Sequence, residues 1–173
     1  FYLGAGGPEK QNDAKGYDLL KQEAKDGNAT ALDTLGTLYL QGGKVGGKTD
    51  AKGEKVGGID VKADPKAAVA QFEELAKANN AVGLRKMGGV YEQGIEGVVA
   101  KDFQKAVENY VKAAQGNDAL AQFRLGSMYD SGVRLDPKSD KIEVAPNAAA
   151  ALSYYKLATQ NGMAIAGYNV GIF

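Results

Sequence analysis

The sequence predicts an all-α fold built from antiparallel helix pairs, and three observations carry that expectation. A 28-residue block recurs four times without a gap, at 12–39, 64–91, 102–129 and 147–173, the last copy one residue short. Helix-start and helix-stop residues stand at fixed offsets within it. Each copy closes on a small residue, an apolar residue followed at once by Gly, and an aromatic residue or the chain end: ALDTLGTLY at 31–39, GLRKMGGVY at 83–91, AQFRLGSMY at 121–129 and AGYNVGIF at 166–173. Four in-phase copies of one block mark a repeat architecture, read here as one array over 1–173.

The first helix of each block begins after Asn12, Asp64, Asp102 or Asn147. Asn and Asp are preferred N-caps because the side-chain oxygen accepts from an orphan backbone N–H of the first turn. Pro65 follows Asp64 at the first helical position, where its missing donor costs nothing. Position sixteen holds Gly27, Asn79, Asn117 and Gly162, residue types that stop a helix in the left-handed conformation. The second helix follows almost at once and carries the closing motif. Its Ala, apolar, Gly and Tyr positions recur at three- to five-residue steps, which is one helical face. Gly inside a helix costs roughly 1 kcal/mol against Ala, so its presence in all four copies predicts close approach of a neighbouring helix. Columns nine (Leu20, Phe72, Tyr110, Tyr155) and twenty-eight (Tyr39, Tyr91, Tyr129) are read as packing between helices.

All length variation lies between blocks. The stretch 40–63 has seven glycines and five lysines and contains KVGG twice, at 44–47 and 55–58. It reads as a loose hairpin or a mobile loop. The stretch 130–146 alternates Val133 and Leu135 before Asp136-Pro137 and Ile142 and Val144 after it, which predicts a small β-hairpin. Connections this long are usually functional or disordered.

Composition removes several function classes. Lys+Arg and Asp+Glu both number 21, without the basic excess of a nucleic-acid binder. No apolar run approaches the length of a membrane span. With neither Cys nor His, the chain lacks a thiol nucleophile, the commonest general base and the commonest metal ligand. Glu73-Glu74 reads as a solvated helix face rather than a catalytic pair. Asp130, Asp136, Asp140 and Glu143 offer oxygens but lack the EF-hand spacing. The glycine-rich 42–58 stretch lacks the phosphate-loop signature. Ser127, Ser131, Ser139 and Ser153 have no histidine to activate them. The expectation is a non-enzymatic protein with no cofactor and no metal.

The residues resemble a known family. GLRKMGGVY at 83–91 followed by DFQKAVENYVKAA at 102–114, with the Gly27-Asn28 turn of the first block, is similar to the Sel-one-like repeat (SLR), a relative of the tetratricopeptide repeat. The resemblance covers essentially the whole chain. Departures are Gly83 for the motif Ala, Met87 and Val170 for Leu, Glu23 where later copies have Leu75, Ala113 and Ala158, and the two long connections. It implies a right-handed α-solenoid, an α-α superhelix, that binds proteins. The implied settings are a bacterial secreted or periplasmic adaptor or a eukaryotic degradation-machinery adaptor. Phe1-Tyr2 and Phe173 match the interior of the motif, so more protein is expected beyond one or both ends.

By analogy with tetratricopeptide arrays, a partner would meet the second helix of each pair six and three residues before the Gly, and one and four after it. The candidate partner-binding residues are Asp33 and Leu40 in the first copy, Arg85 and Glu92 in the second, Leu120, Phe123 and Asp130 in the third, and Ile165 and Tyr168 in the fourth. Phe123 and Tyr168 are expected to anchor, lying outside the packing columns. Asp33, Arg85, Glu92 and Asp130 are expected to set orientation and selectivity. The general expectation is a scaffold binding a protein partner. A finer alternative is a periplasmic immunity protein that blocks a secreted lipase toxin with the loops 43–62 or 132–145. Further alternatives are a cell-envelope assembly component or a hydrolase.

Overall fold

The computed structural model describes residues 9–49, 55–134 and 142–172. Eight helices appear among them: α1 (Glu9–Lys25), α2 (Ala29–Gln41), α3 (Pro65–Lys77), α4 (Ala81–Gln93), α5 (Phe103–Gln115), α6 (Ala119–Ser131), α7 (Ala148–Gln160) and α8 (Ala164–Val170). The fold is all-α, with short strands confined to the connections. The chain divides into two compact units, Phe1–Leu75 and Ala76–Phe173.

The predicted helix boundaries hold where the caps are real. Asp64, Asp102 and Asn147 each accept from the backbone N–H three residues on, at 2.9 Å. Asn12 is the exception. The first helix begins at Glu9, so Asn12 lies inside α1 and does not cap it. Glu9, Lys10 and Gln11 are all adequate helix formers, and nothing upstream of Asn12 stops the helix there. The turn between paired helices is closed by left-handed residues in every block: Gly27 at φ +83°, Asn79 at +54°, Asn117 at +60° and Gly162 at +94°. The next residue caps the second helix: Asn28 accepts from Ala31, Asn80 from Val82 and Gly83, and Asp118 from Ala121. Met163 holds that place in the fourth block and makes no side-chain cap.

In the first unit Ala24, Ala31, Leu32, Leu35 and Leu75 form the buried core, flanked by Tyr17, Leu20, Leu38 and Tyr39. In the second unit Leu84, Tyr110, Ala121, Leu125 and Met128 join the buried alanines of α5. Ala151, Tyr155, Ala158 and Ala166 form a further cluster.

The motif glycines are explained by rings. A Cβ on Gly36 would lie 2.5 Å from a ring carbon of Phe72, on Gly88 2.7 Å from Tyr110, and on Gly126 2.6 Å from Tyr155. Each glycine is therefore the floor on which the aromatic residue of the next block's first helix rests. Those rings occupy column nine, so the two recurring columns are the two halves of one contact.

All three connections between blocks share one stem. Gly42, Gly94 and Gly132 each stand three residues after the motif's last residue, with φ of +68°, +69° and +68°. Val61, Val99 and Val144 each stand three residues before the next block. A Cβ on each of these glycines would meet the carbonyl oxygen of the matching valine at 3.0–3.2 Å. Past the glycine an antiparallel pairing begins: Gly43 with Val61, Ile95 with Val99, Val133 with Val144. The stem closes where Asp64, Asp102 and Asn147 donate backbone N–H to the carbonyls of Tyr39, Tyr91 and Tyr129, at 2.7, 2.9 and 2.7 Å.

The long stretches are thus hairpins on this stem. In the first, β1 (Gly43–Val45) pairs with β4 (Ile59–Val61) and β2 (Lys48–Thr49) with β3 (Lys55–Val56). The two KVGG segments face each other across it, with Gly46, Gly47, Gly57 and Gly58 all at φ between +75° and +82°. In the other, β5 (Val133–Arg134) pairs with β6 (Ile142–Val144). Val144 is buried in the core of the second unit, so this hairpin has a packing role. The Asp136-Pro137 turn, Phe1-Tyr2 and Phe173 lie outside the described residues.

Candidate protein-interaction surface

The nine candidate residues sit on the second helix of a pair or just past its motif. In the first unit Asp33 is half-buried on α2 and Leu40 is exposed near its end. In the second unit the charged candidates are engaged within the fold. Arg85 pairs through Nε with Asp118 Oδ2 at 3.0 Å, both side chains largely covered. Asp118 is also the N-cap of α6, so one carboxylate ties α4 to the start of α6. Glu92 accepts the hydroxyl of Tyr110 at 2.5 Å. Asp130 accepts the hydroxyl of Tyr155 at 3.5 Å. Glu92 and Asp130 are therefore not free selectivity charges. They hold the rings that cover Gly88 and Gly126.

This pairing has a counterpart in the first unit. The ring over Gly36 is Phe72, which has no hydroxyl, and the position equivalent to Glu92 and Asp130 there is Leu40. The acid is present where the ring carries an OH and absent where it does not. That correspondence was available in the sequence, one position beyond the repeat block.

Burial pushes the Tyr110 hydroxyl well above the usual tyrosine range, and its bond to Glu92 adds to the shift. Tyr155 is raised by burial and then by the charge of Asp130. Tyr17 is pushed up to about 12, by burial and then by its hydrogen bond to the Tyr39 hydroxyl.

The apolar candidates divide. Phe123 does not lie outside the packing: it is half-buried, tilted against Tyr155 with centroids 5.7 Å apart. The reason is its register, three residues before Gly126, which places it beside the ring that covers that glycine. Leu120 is 37% exposed, Ile165 64% and Tyr168 74%. Ile172, one residue after Gly171, is also exposed. Helix α8 carries no charged residue at all. Sequence reading also passed over Gln122, which is buried where the first two blocks have Leu32 and Leu84. Its amide donates to the carbonyl of Ala114 at 3.0 Å and its oxygen accepts from Asn161 at 2.9 Å. A polar residue breaking an apolar column is the signal that would have found it. Among the described residues no group of acidic side chains is arranged to hold a metal ion, and no helix is long and apolar enough to cross a membrane.

No family model matches the chain, and no curated protein does. Solved structures do. A protective antigen with an SLR fold, present in uropathogenic Escherichia coli, matches at TM-score 0.68 and 26% identity over 94% of this chain and 29% of its own. A Sel1 repeat protein from Oxalobacter formigenes matches at TM-score 0.63 and 25% identity, over 84% of this chain and 47% of its own. The chain is thus similar in fold to SLR proteins. The SLR-like chain also shares its fold with cysteine rich protein B of Helicobacter pylori, at TM-score 0.59 and 20% identity over 98% of this chain and all of that one. It does so without any cysteine. The chain spans less than a third of the E. coli antigen and about half of the Oxalobacter protein. The all-α class of antiparallel helix pairs, expected from the repeat, agrees with these SLR structures.

Proposed function

We propose that this SLR-like chain is one repeat array acting as a non-enzymatic scaffold that binds a protein partner. The observation that carries the reading is the exposure of Leu120 on α6, of Ile165 at the equivalent repeat position on α8, and of Tyr168 one turn further along that uncharged helix. Large apolar side chains left exposed on neighbouring repeats are the kind of surface that marks interaction sites. Phe123 supports the surface from beneath through Tyr155 rather than anchoring a partner by itself. In the first unit Asp33 and Leu40 offer a more polar second helix. The charges at Arg85, Glu92 and Asp130 orient neighbouring side chains first, and a partner only through them.

The test is capture from extract of the source cell, with Ile165→Ser combined with Tyr168→Ser as the comparison. A partner retained by the wild type, lost by the double variant, and bound again when purified supports the scaffold reading. Identical capture by both proteins sinks it. Both residues are exposed, so the helical circular dichroism is expected to stay unchanged.

A second reading, an immunity-type protein that blocks a secreted toxin from the periplasm, draws on the hairpins instead. It is favoured by the docking of the first hairpin on α1, where Asp13 accepts from the Gly47 amide at 3.2 Å and holds the hairpin in one pose. Replacing 43–62 by the short connection that follows Gly94 keeps the stem intact. Loss of toxin inhibition would support this reading, and full inhibition would remove it. A periplasmic or secreted location accords with both readings and with the likeness to an E. coli antigen.

A further inference from the structure

The buried amide of Gln122 and the exposed end of α7 form one polar joint. Gln122 is 1% exposed and is satisfied on both sides. Its Nε2 donates to the carbonyl of Ala114 near the end of α5, and its Oε1 accepts from Nδ2 of Asn161, the C-cap residue of α7. One side chain thus links α6 to the ends of α5 and α7. The matching positions one block earlier are Leu84 and Gly116, so this polar pair is particular to the junction of the third and fourth blocks. The Ala114 carbonyl can only accept, which fixes the Gln122 amide with its oxygen towards Asn161. The joint therefore requires a donor at residue 161.

Asn161 is followed by Gly162, and this is the one Asn-Gly pair in the chain. Both residues are exposed, as are the equivalent pairs Asp26-Gly27, Ala78-Asn79 and Gly116-Asn117, so water reaches this turn in every block. A glycine leaves its own backbone nitrogen unshielded by a side chain. We propose that Asn161 is a site of spontaneous deamidation, and that its conversion to aspartate opens the joint at Gln122. The Gly162 nitrogen bonds to the Asn161 side-chain carbonyl carbon, its proton passes through water to the departing amide nitrogen, and ammonia leaves. Water then opens the five-membered imide to aspartate or isoaspartate. In the folded turn both reacting groups are engaged, the Gly162 N–H with the Thr159 carbonyl at 3.1 Å and the Asn161 amide with Gln122 at 2.9 Å. The reaction therefore proceeds from openings of the last turn of α7, since helix ends fray, and the Gln122 bond slows it. The product carries a carboxylate, an acceptor only, where the joint requires a donor. Turning the Gln122 amide to meet it would set the amide oxygen against the Ala114 carbonyl. Either way one buried acceptor faces another, and the modification weakens the hold of α6 on the ends of α5 and α7.

The whole chain, held in warm, mildly alkaline buffer and then digested with trypsin, reports the reaction by mass. The peptide 157–173 should gain one mass unit at Asn161, in two chromatographic forms, before any other asparagine changes; Asn169 in the same peptide is the internal control. The melting temperature should fall as conversion proceeds, and Asn161→Asp should reproduce the fall, by at least about 2 °C. Gln122→Leu places in this column the residue type of Leu32 and Leu84, and the Ala114 carbonyl keeps the Asn117 amide at 3.0 Å, so this variant retains its fold. It should speed deamidation by at least about twofold, as expected from the loss of one hydrogen bond. In the Gln122→Leu background Asn161→Asp should cost little. A melting shift there as large as in the native background would show that the effect does not pass through Gln122. Intact Asn161 while other asparagines convert, an unshifted Asn161→Asp variant, or a Gln122→Leu chain that deamidates no faster would each overturn the proposal.

Discussion

Tyr110 donates its hydroxyl to Glu92 at 2.5 Å, and the equivalent two positions one block earlier are Phe72 and Leu40, neither able to make such a bond. The same contact, a ring covering a motif glycine, is therefore completed in one case by a hydrogen bond and in the other without one. Tyr110→Phe alone strips Glu92 of its donor and should cost about 1.5–3 kcal/mol, the range for hydrogen bonds to charged groups. Adding Glu92→Leu restores the Phe–Leu combination found naturally at Phe72 and Leu40, and should recover most of that loss. Urea unfolding of the two single variants and the double one measures the coupling directly. Additive losses would show that the pair is not a unit.

The motif glycines predict different outcomes for one substitution. Gly88→Ala and Gly126→Ala drive a methyl group into a tyrosine ring and should cost roughly 1–3 kcal/mol of overpacking. A helix-propensity gain of up to about 1 kcal/mol offsets part of it. A Cβ on Gly171, the C-cap of α8, would meet no ring among the described residues, so Gly171→Ala should leave the melting temperature unchanged. A thermal series over the three variants checks the contrast.

Alkaline pH should destabilise the chain from about pH 10 upward. Tyr17 titrates near 12 in the folded state and Tyr110 is raised as well. In the unfolded chain both ionise near the ordinary value of about 10. The unfolded state therefore loses protons first. The stability these groups contribute is fully present below pH 10 and is lost as pH rises through the folded values. Unfolding free energies at pH 9 and pH 11 should differ, and Tyr110→Phe should shrink the difference. Late tyrosinate absorbance in an ultraviolet titration of the folded protein would identify the protected hydroxyls.

Asp13 is buried on α1, its carboxylate accepting from Gly47 and filling the space a Cβ on Gly46 would take. Asp13→Ala should release the first hairpin without melting the helices. Amide exchange at Gly47 should accelerate by about tenfold or more, while amides in the middle of α2 keep their protection. Unchanged exchange at Gly47 would mean that the hairpin is held by its stem alone.

Much of this architecture was legible because it is written in columns. Asp64, Asp102 and Asn147 cap helices by a local bond whose geometry depends only on neighbours within a turn. The left-handed Asn79 and Asn117 likewise follow from short-range sterics. Asn12 shows the limit: a good capping residue does nothing where helix formers precede it. The candidate surface was less legible, because the fate of a residue outside the columns depends on the next block. Glu92 reads as a free charge until Tyr110 arrives over it, and Phe123 reads as an exposed anchor until Tyr155 lies beside it. The column of Gly42, Gly94 and Gly132 was in plain sight but beyond the block as delimited, and its matching Val61, Val99 and Val144 are fixed by counting backwards from the next one.

That glycine–valine stem makes the chain modular in a particular sense. The backbone enters and leaves each connection at the same two points, locked by the same hydrogen bond to a motif tyrosine carbonyl, whether the excursion is the brief turn around Gly97 or the double KVGG hairpin. Whatever is inserted between those points leaves the backbone's entry to and exit from the helices on either side unchanged. Mutation can lengthen, shorten or rewrite an excursion and be judged on what the new segment touches, as the first hairpin touches Asp13, because the stem fixes where the chain leaves and returns.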